Sequence, residues 1–314
     1  LGLNQTKVRK KQIVIVGRVA AFWENTVQTP LQIVEDPFFI ERGITLYLKR
    51  DDLIHPHVSG NKWRKLKYNL FEAEKQGFTT VLTFGGAYSN HIAATAAAGQ
   101  ATGFDTIGII RGEELRADAN PTLRFASQCG MKLLFVSRED YRNKEALVQL
   151  FGKDCYIIPE GGSNALAVKG VAEVVAEIQT QVNRPVDYLC TALGTGGTAA
   201  GLISASETTV LVFPSLKIKP EEAKQMILQH LSVPKIKAEI LSDYHFGGYG
   251  KVKEELWQFI EQFEKQTTIP LEQVYTGKMM FGIYDLVRKG FFKQGEVIVA
   301  LHTGGLQGRQ INPI

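Results

Sequence analysis

The chain of 314 residues is long enough for one large or two medium domains, and 44% apolar content can supply a full core. Its formal charge of +4, from 36 basic against 32 acidic residues, is spread along the chain and gives no electrostatic case for nucleic acid. No apolar stretch approaches the length needed to span a bilayer, so no membrane partner is expected.

From the N-terminus, Lys7-Val8-Arg9-Lys10-Lys11 is the one dense basic run and reads as a solvated tail. Ile13-Val14-Ile15-Val16 follows it but is short and broken by Gly17-Arg18, with no clean cleavage site, so a secretory signal is not expected. Leu66, Leu70 and Ala73 fall at helical spacing before Gly77, a natural stop. Val81 to Phe84, Thr106 to Ile110, Leu133 to Val136 and Tyr156 to Ile158 read as buried strands. Leu166, Val171, Val174, Val175 and Ile178 make a second apolar helix face, and Tyr188 to Leu193, Val210 to Phe213 and Val297 to Leu301 are further strands. Ser215 to Lys237 is polar, lysine-rich and punctuated by Pro220 and Pro234, which predicts a surface connection with a short helix. This alternation predicts an α/β fold of two open, mostly parallel twisted sheets with helices on both faces, the strands being too many for one small sheet.

Cys129, Cys155 and Cys190 are odd in number and far apart, which fits a reducing cytoplasm better than disulfides or zinc. Cys155 and Cys190 sit in apolar runs and read as small core residues. His55-Pro56-His57 lacks further ligands at a recognisable spacing and reads as a loop, so no metal is expected.

The most informative run is Ala192-Leu193-Gly194-Thr195-Gly196-Gly197-Thr198, which ends a strand and opens a small-residue helix. Glycines let successive N–H groups point into one concavity, and the helix N-terminus adds partial positive charge, which together make a phosphate cup. It is neither the lysine-terminated nucleotide loop nor a good dinucleotide fingerprint. Ser59-Gly60-Asn61-Lys62-Trp63-Arg64-Lys65 places Lys62 at a turn where a helix begins. A lysine that reacts with an aldehyde needs a neutral amine, obtained by burial or neighbouring cations, and Arg64 and Lys65 supply nearby positive charge. Lys65 could also bind a phosphate oxygen. Phe84-Gly85-Gly86-Ala87-Tyr88-Ser89-Asn90-His91 ends another strand, with Ser89 or Asn90 capping an alanine-rich helix. Glu160-Gly161-Gly162-Ser163-Asn164 and Leu301-His302-Thr303-Gly304-Gly305 are two more glycine turns after strands, where open α/β sheets bind ligands. Tyr249 and Tyr275 are aromatics flanked by glycine.

Together these motifs resemble the fold-type II pyridoxal-phosphate enzymes, which share the tryptophan synthase β-like architecture. More narrowly they resemble the family of 1-aminocyclopropane-1-carboxylate deaminase and D-cysteine desulfhydrase. The likeness runs from Thr29-Pro30-Leu31, through Lys49-Arg50-Asp51-Asp52-Leu53 and Gly60-Asn61-Lys62, to His302-Thr303-Gly304-Gly305. It implies pyridoxal 5'-phosphate as cofactor, a small amino-acid substrate and a homodimer. Lys62 would hold the cofactor aldehyde and shuttle the substrate proton. Lys65 with Gly194, Thr195, Gly196, Gly197 and Thr198 would hold the phosphate, Asn90 would contact the ring's phenolic oxygen, and Thr303 would complete the cofactor site. Ser89 would sit over the substrate, opposite Tyr249 and Tyr275. Residues 65–175 would form a small α/β domain inserted between residues 1–64 and 176–314 of a large cofactor-binding domain.

Family members that open the cyclopropane ring resemble Val-Tyr-Glu-Gly-Lys where this chain has Val274-Tyr275-Thr276-Gly277-Lys278, and His-Leu-Gly-Gly where it has Thr303. A hydroxyl favours a protonated ring nitrogen less than a carboxylate does, which suits ejection of thiolate more than carbon–carbon cleavage. The expected activity is therefore a deaminating lyase that converts D-cysteine to pyruvate, sulfide and ammonia, Lys62 or Ser89 taking the Cα proton. Tyr88 stands where the family often resembles glutamine, which could reshape the carboxylate end of the pocket. Ring-opening deaminase, β-replacement synthase, non-catalytic cofactor-binding protein and nucleotide-binding oxidoreductase are the competing readings.

Overall fold

A computed structural model describes residues 17–24, 28–232 and 236–310 of the protein. The basic run at 7–11, the apolar segment at 13–16 and Pro234 lie outside them. The chain enters through α1 (Arg18–Glu24), β1 (Leu31–Ile33), the short α2 (Pro37–Ile40) and β2 (Thr45–Lys49). Helices and strands then alternate as α3 (Asn61–Lys75), β3 (Thr80–Gly86), α4 (Asn90–Thr102) and β4 (Asp105–Arg111). α5 (Pro121–Gln128), β5 (Lys132–Val136), α6 (Lys144–Phe151) and β6 (Tyr156–Ile157) continue the series. The long α7 (Ala165–Gln181) leads to β7 (Tyr188–Leu193), α8 (Gly197–Ala205), β8 (Thr209–Pro214), α9 (Pro220–Leu228) and β9 (Ala238–Ile240). α10 (Glu254–Thr267), α11 (Thr276–Arg288) and β10 (Val297–Leu301) close the fold. Several helices start where a side chain satisfies an orphan N–H, as Ser89, Asn120, Asn143 and Asn164 do at the heads of α4, α5, α6 and α7.

The strands form two sheets, ordered β1-β2-β10-β7-β8-β9 and β5-β4-β3-β6. Every pairing is parallel except β1 with β2, as the alternation of strands and helices requires. Alternate residues of the larger sheet feed two cores. Leu46, Leu48, Cys190, Leu211 and Ile298 pack with α10 and α11, and Leu189, Val210, Val212 and Val299 pack with α7, α8 and α9. Cys190 is fully buried, as its apolar run predicts, whereas Cys155 is only half-buried. The Ser215–Lys237 segment carries α9, but Ser215 itself is fully buried because its N–H donates to Leu193 O at 3.0 Å. No helix among the described residues is long and apolar enough to cross a membrane.

Both sheets reverse their winding direction once. In the larger, β7 is followed by β8 on one side while β10 lies on the other, and in the smaller, β3 separates β4 from β6. Ligands of open α/β sheets bind beyond the carboxyl ends of strands at such switch points. The turns after β7, β10, β3 and β6 carry Gly194–Thr198, His302–Gly305, Ala87–Asn90 and Glu160–Asn164.

A buried charge knot holds α3, which follows β2 in the chain, in place. Lys49 Nζ lies 2.7 Å from Glu177, and Arg64 bridges Asp51 at 2.6 Å and Glu177 at 2.7 Å. The Lys49–Asp52 motif is thus a structural clamp, with Arg50 held by Asp52 in a two-pronged contact of 2.9 and 2.8 Å.

Candidate active site

Lys62 owes its position to Gly60. A Cβ on Gly60 would lie 1.9 Å from Thr303 O, so the turn after β10 can approach the head of α3 only at a glycine. Asn61 N donates to Thr303 O at 3.2 Å, fixing the two together. The Lys62 ammonium donates to Gly161 O at 3.2 Å, and burial pulls its pKa from 10.5 to about 8.

Beside it lies the cup. Gly196 has φ +88°, and a Cβ there would meet Met226 O at 2.1 Å, so no other residue suits this bend. α8 starts after it with no side-chain cap, leaving its first N–H groups available to an anion. Lys65 is 2% exposed, and its ammonium donates to Ser163 Oγ at 3.0 Å and Gly161 O at 3.3 Å. A Cβ on Gly197 would stand 3.3 Å from that ammonium, so the lysine reaches the mouth of the cup. Ser163 and Thr195 share a hydrogen bond of 2.6 Å, and Asn61 Nδ2 donates to Thr198 Oγ1 at 2.8 Å. Burial, then the charge of Lys62, hold the Lys65 pKa well below its ordinary value. A buried amine hydrogen-bonded only to a carbonyl and a hydroxyl, aimed at a helix N-terminus, is a cradle that an anion completes.

On the opposite wall, the Tyr275 ring packs against Gly194: a Cβ there would lie 3.2 Å from Cε1 and 3.4 Å from the phenol oxygen. Tyr249, 46% exposed, meets Tyr275 edge-on with ring centroids 6.0 Å apart. Burial raises both phenol pKa values, so both oxygens keep their protons near neutrality. Behind Tyr275 lies the buried Glu272, which accepts from Val274 N at 2.7 Å, Tyr275 N at 2.9 Å, Thr276 N at 2.5 Å and Thr276 Oγ1 at 3.0 Å. Burial raises its pKa against the pull of these donors.

The head of α4 forms the third wall. Ser89 Oγ accepts from Ile92 N at 3.3 Å as the helix cap. Asn90 meets the turn after β10, where a Cβ on Gly305 would stand 2.5 Å from Nδ2. Gln307 donates to Asn90 Oδ1, which leaves the Asn90 NH2 group as the free donor. His91 is bonded through Nε2 to Thr83 Oγ1 at 2.7 Å, and Thr83 in turn donates to Ile158 O at 2.8 Å. Thr83 has one hydroxyl proton, so His91 is the donor and its buried Nδ1, which has no partner, is an acceptor.

The structure thus links Lys62, Lys65, Gly194, Thr195, Gly196, Gly197, Thr198, Tyr249 and Tyr275 by a chain of contacts running through Gly161, Ser163 and Asn61, with Asn90 against the Thr303–Gly305 turn. Ser89 heads α4 beside Asn90, with its hydroxyl engaged in the cap, and Thr303 enters through its carbonyl. One sequence expectation changes. Arg64 does not supply free positive charge beside Lys62, because Asp51 and Glu177 neutralise it. Asn61 and Ser163 stood inside motifs already singled out. His91 stood at the end of the Phe84–His91 run with no role assigned, and Glu272 and Gln307 lay outside the motifs, since capping and tautomer depend on neighbours brought in by the fold.

A neutralisable amine and a phosphate cradle at the facing switch points of two parallel sheets define an α/β enzyme built around a phosphorylated aldehyde cofactor. The chain belongs to the pyridoxal-phosphate dependent enzyme family, whose model matches residues 24–304. A protein of Pyrococcus horikoshii provisionally named a 1-aminocyclopropane-1-carboxylate deaminase is 32% identical over 300 residues, covering 90% of each chain. The bifunctional D-cysteine desulfhydrase/1-aminocyclopropane-1-carboxylate deaminase of Arabidopsis thaliana mitochondria is 33% identical over 299 residues, covering 86% of this chain and 74% of its own. A crystal structure of an ACC deaminase homologue superposes with TM-score 0.78 at 29% identity, covering 93% of this chain and 95% of that one. The fold is therefore the fold-type II architecture, and the cofactor is pyridoxal phosphate.

Proposed function

We propose that this enzyme is a deaminating lyase acting on D-cysteine: with one water, D-cysteine gives pyruvate, sulfide and ammonia. The observation that carries the reading is the run of contacts from the buried Lys62 amine, through Gly161 and the Lys65–Ser163–Thr195 cradle, to Gly194 and the Tyr275–Tyr249 pair. Bound pyridoxal phosphate supplies the electron sink that lets a Cα–H bond break once the substrate amine is joined to its aldehyde. Lys65, Ser163 and the N–H groups at Gly194–Thr198 would hold the phosphate, with Thr303 completing the cofactor site, and the Asn90 NH2 group would be a donor to the ring's phenolic oxygen. Lys62 would be the residue that holds the aldehyde and whose neutral amine takes the Cα proton, with Ser89 also placed to act on the substrate. The phenols of Tyr249 and Tyr275 hold a proton available to the departing sulfur. Thr276 supports elimination over ring opening: a hydroxyl, which donates its proton to Glu272 at 3.0 Å, stands where ring-opening members resemble glutamate.

The second reading, ring opening of 1-aminocyclopropane-1-carboxylate, is favoured by the names of the relatives. Keto-acid release from D-cysteine and L-cysteine, each giving pyruvate, and from 1-aminocyclopropane-1-carboxylate, which with one water gives 2-oxobutanoate and ammonia, decides between them when compared side by side. 2-Oxobutanoate from the cyclopropane substrate, with no pyruvate from D-cysteine, overturns the first. Lys62→Ala is expected to abolish both turnover and the absorbance of lysine-linked cofactor, and retention of both would sink either reading.

The same proposal holds the enzyme to be a cytoplasmic homodimer, supported by three free cysteines and by the family resemblance. Its small domain is residues 65–175, whose span contains all four strands of the smaller sheet.

A further inference from the structure

Lys278 is 1% exposed, yet it makes no contact with a carboxylate. Its ammonium donates to three backbone carbonyls: Gly248 O at 2.8 Å, His245 O at 2.9 Å and, more distantly, Ser215 O at 3.5 Å. Burial lowers its pKa to about 8, against the weaker pull of the Glu272 charge. An ammonium kept out of water without an ion-pair partner is costly, and an apolar side chain of similar length would fill the same space at no such cost. The contacts it does make therefore need a reason.

The two shortest of the three fall on one segment. Phe246, Gly247, Gly248 and Gly250 all have positive φ, at 53°, 100°, 119° and 67°. Such backbone loses much conformational freedom when ordered and has no regular ladder to hold it. Its tip carries Tyr249. Lys278 grips the carbonyl at the base of the segment and the one immediately before Tyr249, from the same helix start that carries Tyr275. Tyr249 then returns to the Tyr275 ring, so the three residues close a triangle.

We propose that Lys278 is a positioning residue that tethers the 245–250 segment and thereby holds the Tyr249 phenol against Tyr275 in the substrate cleft. This rests on the cleft assigned above, but the tether itself is tested separately. Hydrogen exchange of the cofactor-loaded enzyme should show backbone amides 246–251 exchanging at least tenfold faster in Lys278→Met than in the native chain, with the core strands unchanged. Lys278→Gln keeps an N–H donor and should fall between them, which separates loss of the tether from loss of fold. With D-cysteine, Lys278→Met should lower kcat roughly ten- to a hundred-fold, since small misplacements of positioned groups cost about that much. In a Tyr249→Phe background the same substitution should add little. Unchanged exchange in Lys278→Met overturns the tether. Faster exchange with losses that multiply in the double variant overturns the route through Tyr249. An enzyme silent on D-cysteine, or a fully active Tyr249→Phe, refutes the substrate or phenol assignment instead, and the exchange comparison still upholds or overturns the tether.

Discussion

The amine of Lys62 decides how fast this protein can take up its cofactor. At pH 7 an ordinary lysine with a pKa near 10.5 is neutral in about three molecules in ten thousand. With a pKa of about 8 it is neutral in roughly one in ten, a gain of about 300-fold in reactive amine. The cause is burial and not a hydrogen bond to a base, so the gain survives high salt, which screens exposed charges only. Apoprotein mixed with an excess of pyridoxal phosphate should therefore link it at a rate that rises about fivefold from pH 7 to pH 8, about twofold more to pH 9, and then levels. Above pH 7 the cofactor's phosphate is already almost fully dianionic and contributes little slope of its own. A rate that keeps rising tenfold per unit to pH 10 would show an unperturbed Lys62 and refute the reasoning.

Two further substitutions separate holding the cofactor from holding the fold. Lys65→Met removes a buried amine whose pKa is depressed, so the folded apoprotein should unfold at the same temperature or higher while cofactor affinity falls. A lower unfolding temperature with unchanged affinity contradicts the cradle. Arg64→Met strands Asp51, which is wholly buried, and should cost about 3–5 kcal/mol in chemical denaturation. A cost below about 1 kcal/mol would place that pair among weak surface bridges.

Much of the architecture was legible because it is written in local pattern. Runs such as Tyr188 to Leu193, apart from Thr191, and Val297 to Leu301 are apolar since both faces of their sheet are covered. β1 and β9 escape this reading because three residues carry no period, and β2 because it ends on Lys49, a charge that its sequence neighbours give no reason to bury. Glu177, 128 positions away, is what permits it. The site divides the same way. Glycine turns announce themselves, while the partners that give them function come from afar: Ser163 reaches Lys65 across 98 positions, and Gln307 reaches Asn90 across 217. Sheet order, which local pattern does not encode, sets those meetings. Arg64 shows the hazard of arguing from proximity in sequence: two positions from Lys62, its side chain nonetheless ends in the charge knot.

Adjacent glycines in the cup serve different ends, and substitution should expose the difference. Gly196 bends the chain at φ +88°, and a methyl there would stand 2.1 Å from a backbone carbonyl that cannot withdraw without moving α9. Gly196→Ala should therefore lower the unfolding temperature of the apoprotein itself. Gly197 is already helical, and its methyl would meet side-chain atoms, Ser163 Oγ at 2.6 Å and Lys65 Nζ at 3.3 Å. Oγ and Nζ can swing aside, and Ser163 Cβ at 2.9 Å has to give only slightly, so Gly197→Ala should cost the fold far less than Gly196→Ala. Oγ and Nζ can swing aside only by leaving the place where they face the phosphate, and the methyl occupies part of the cup. Cofactor affinity should fall at least about tenfold, or ~1.4 kcal/mol, measured by titrating apoprotein with pyridoxal phosphate. Inorganic phosphate should lose its protection against thermal unfolding in parallel. Native affinity in Gly197→Ala would mean that the anion binds elsewhere, and that the turn after β7 is only a turn.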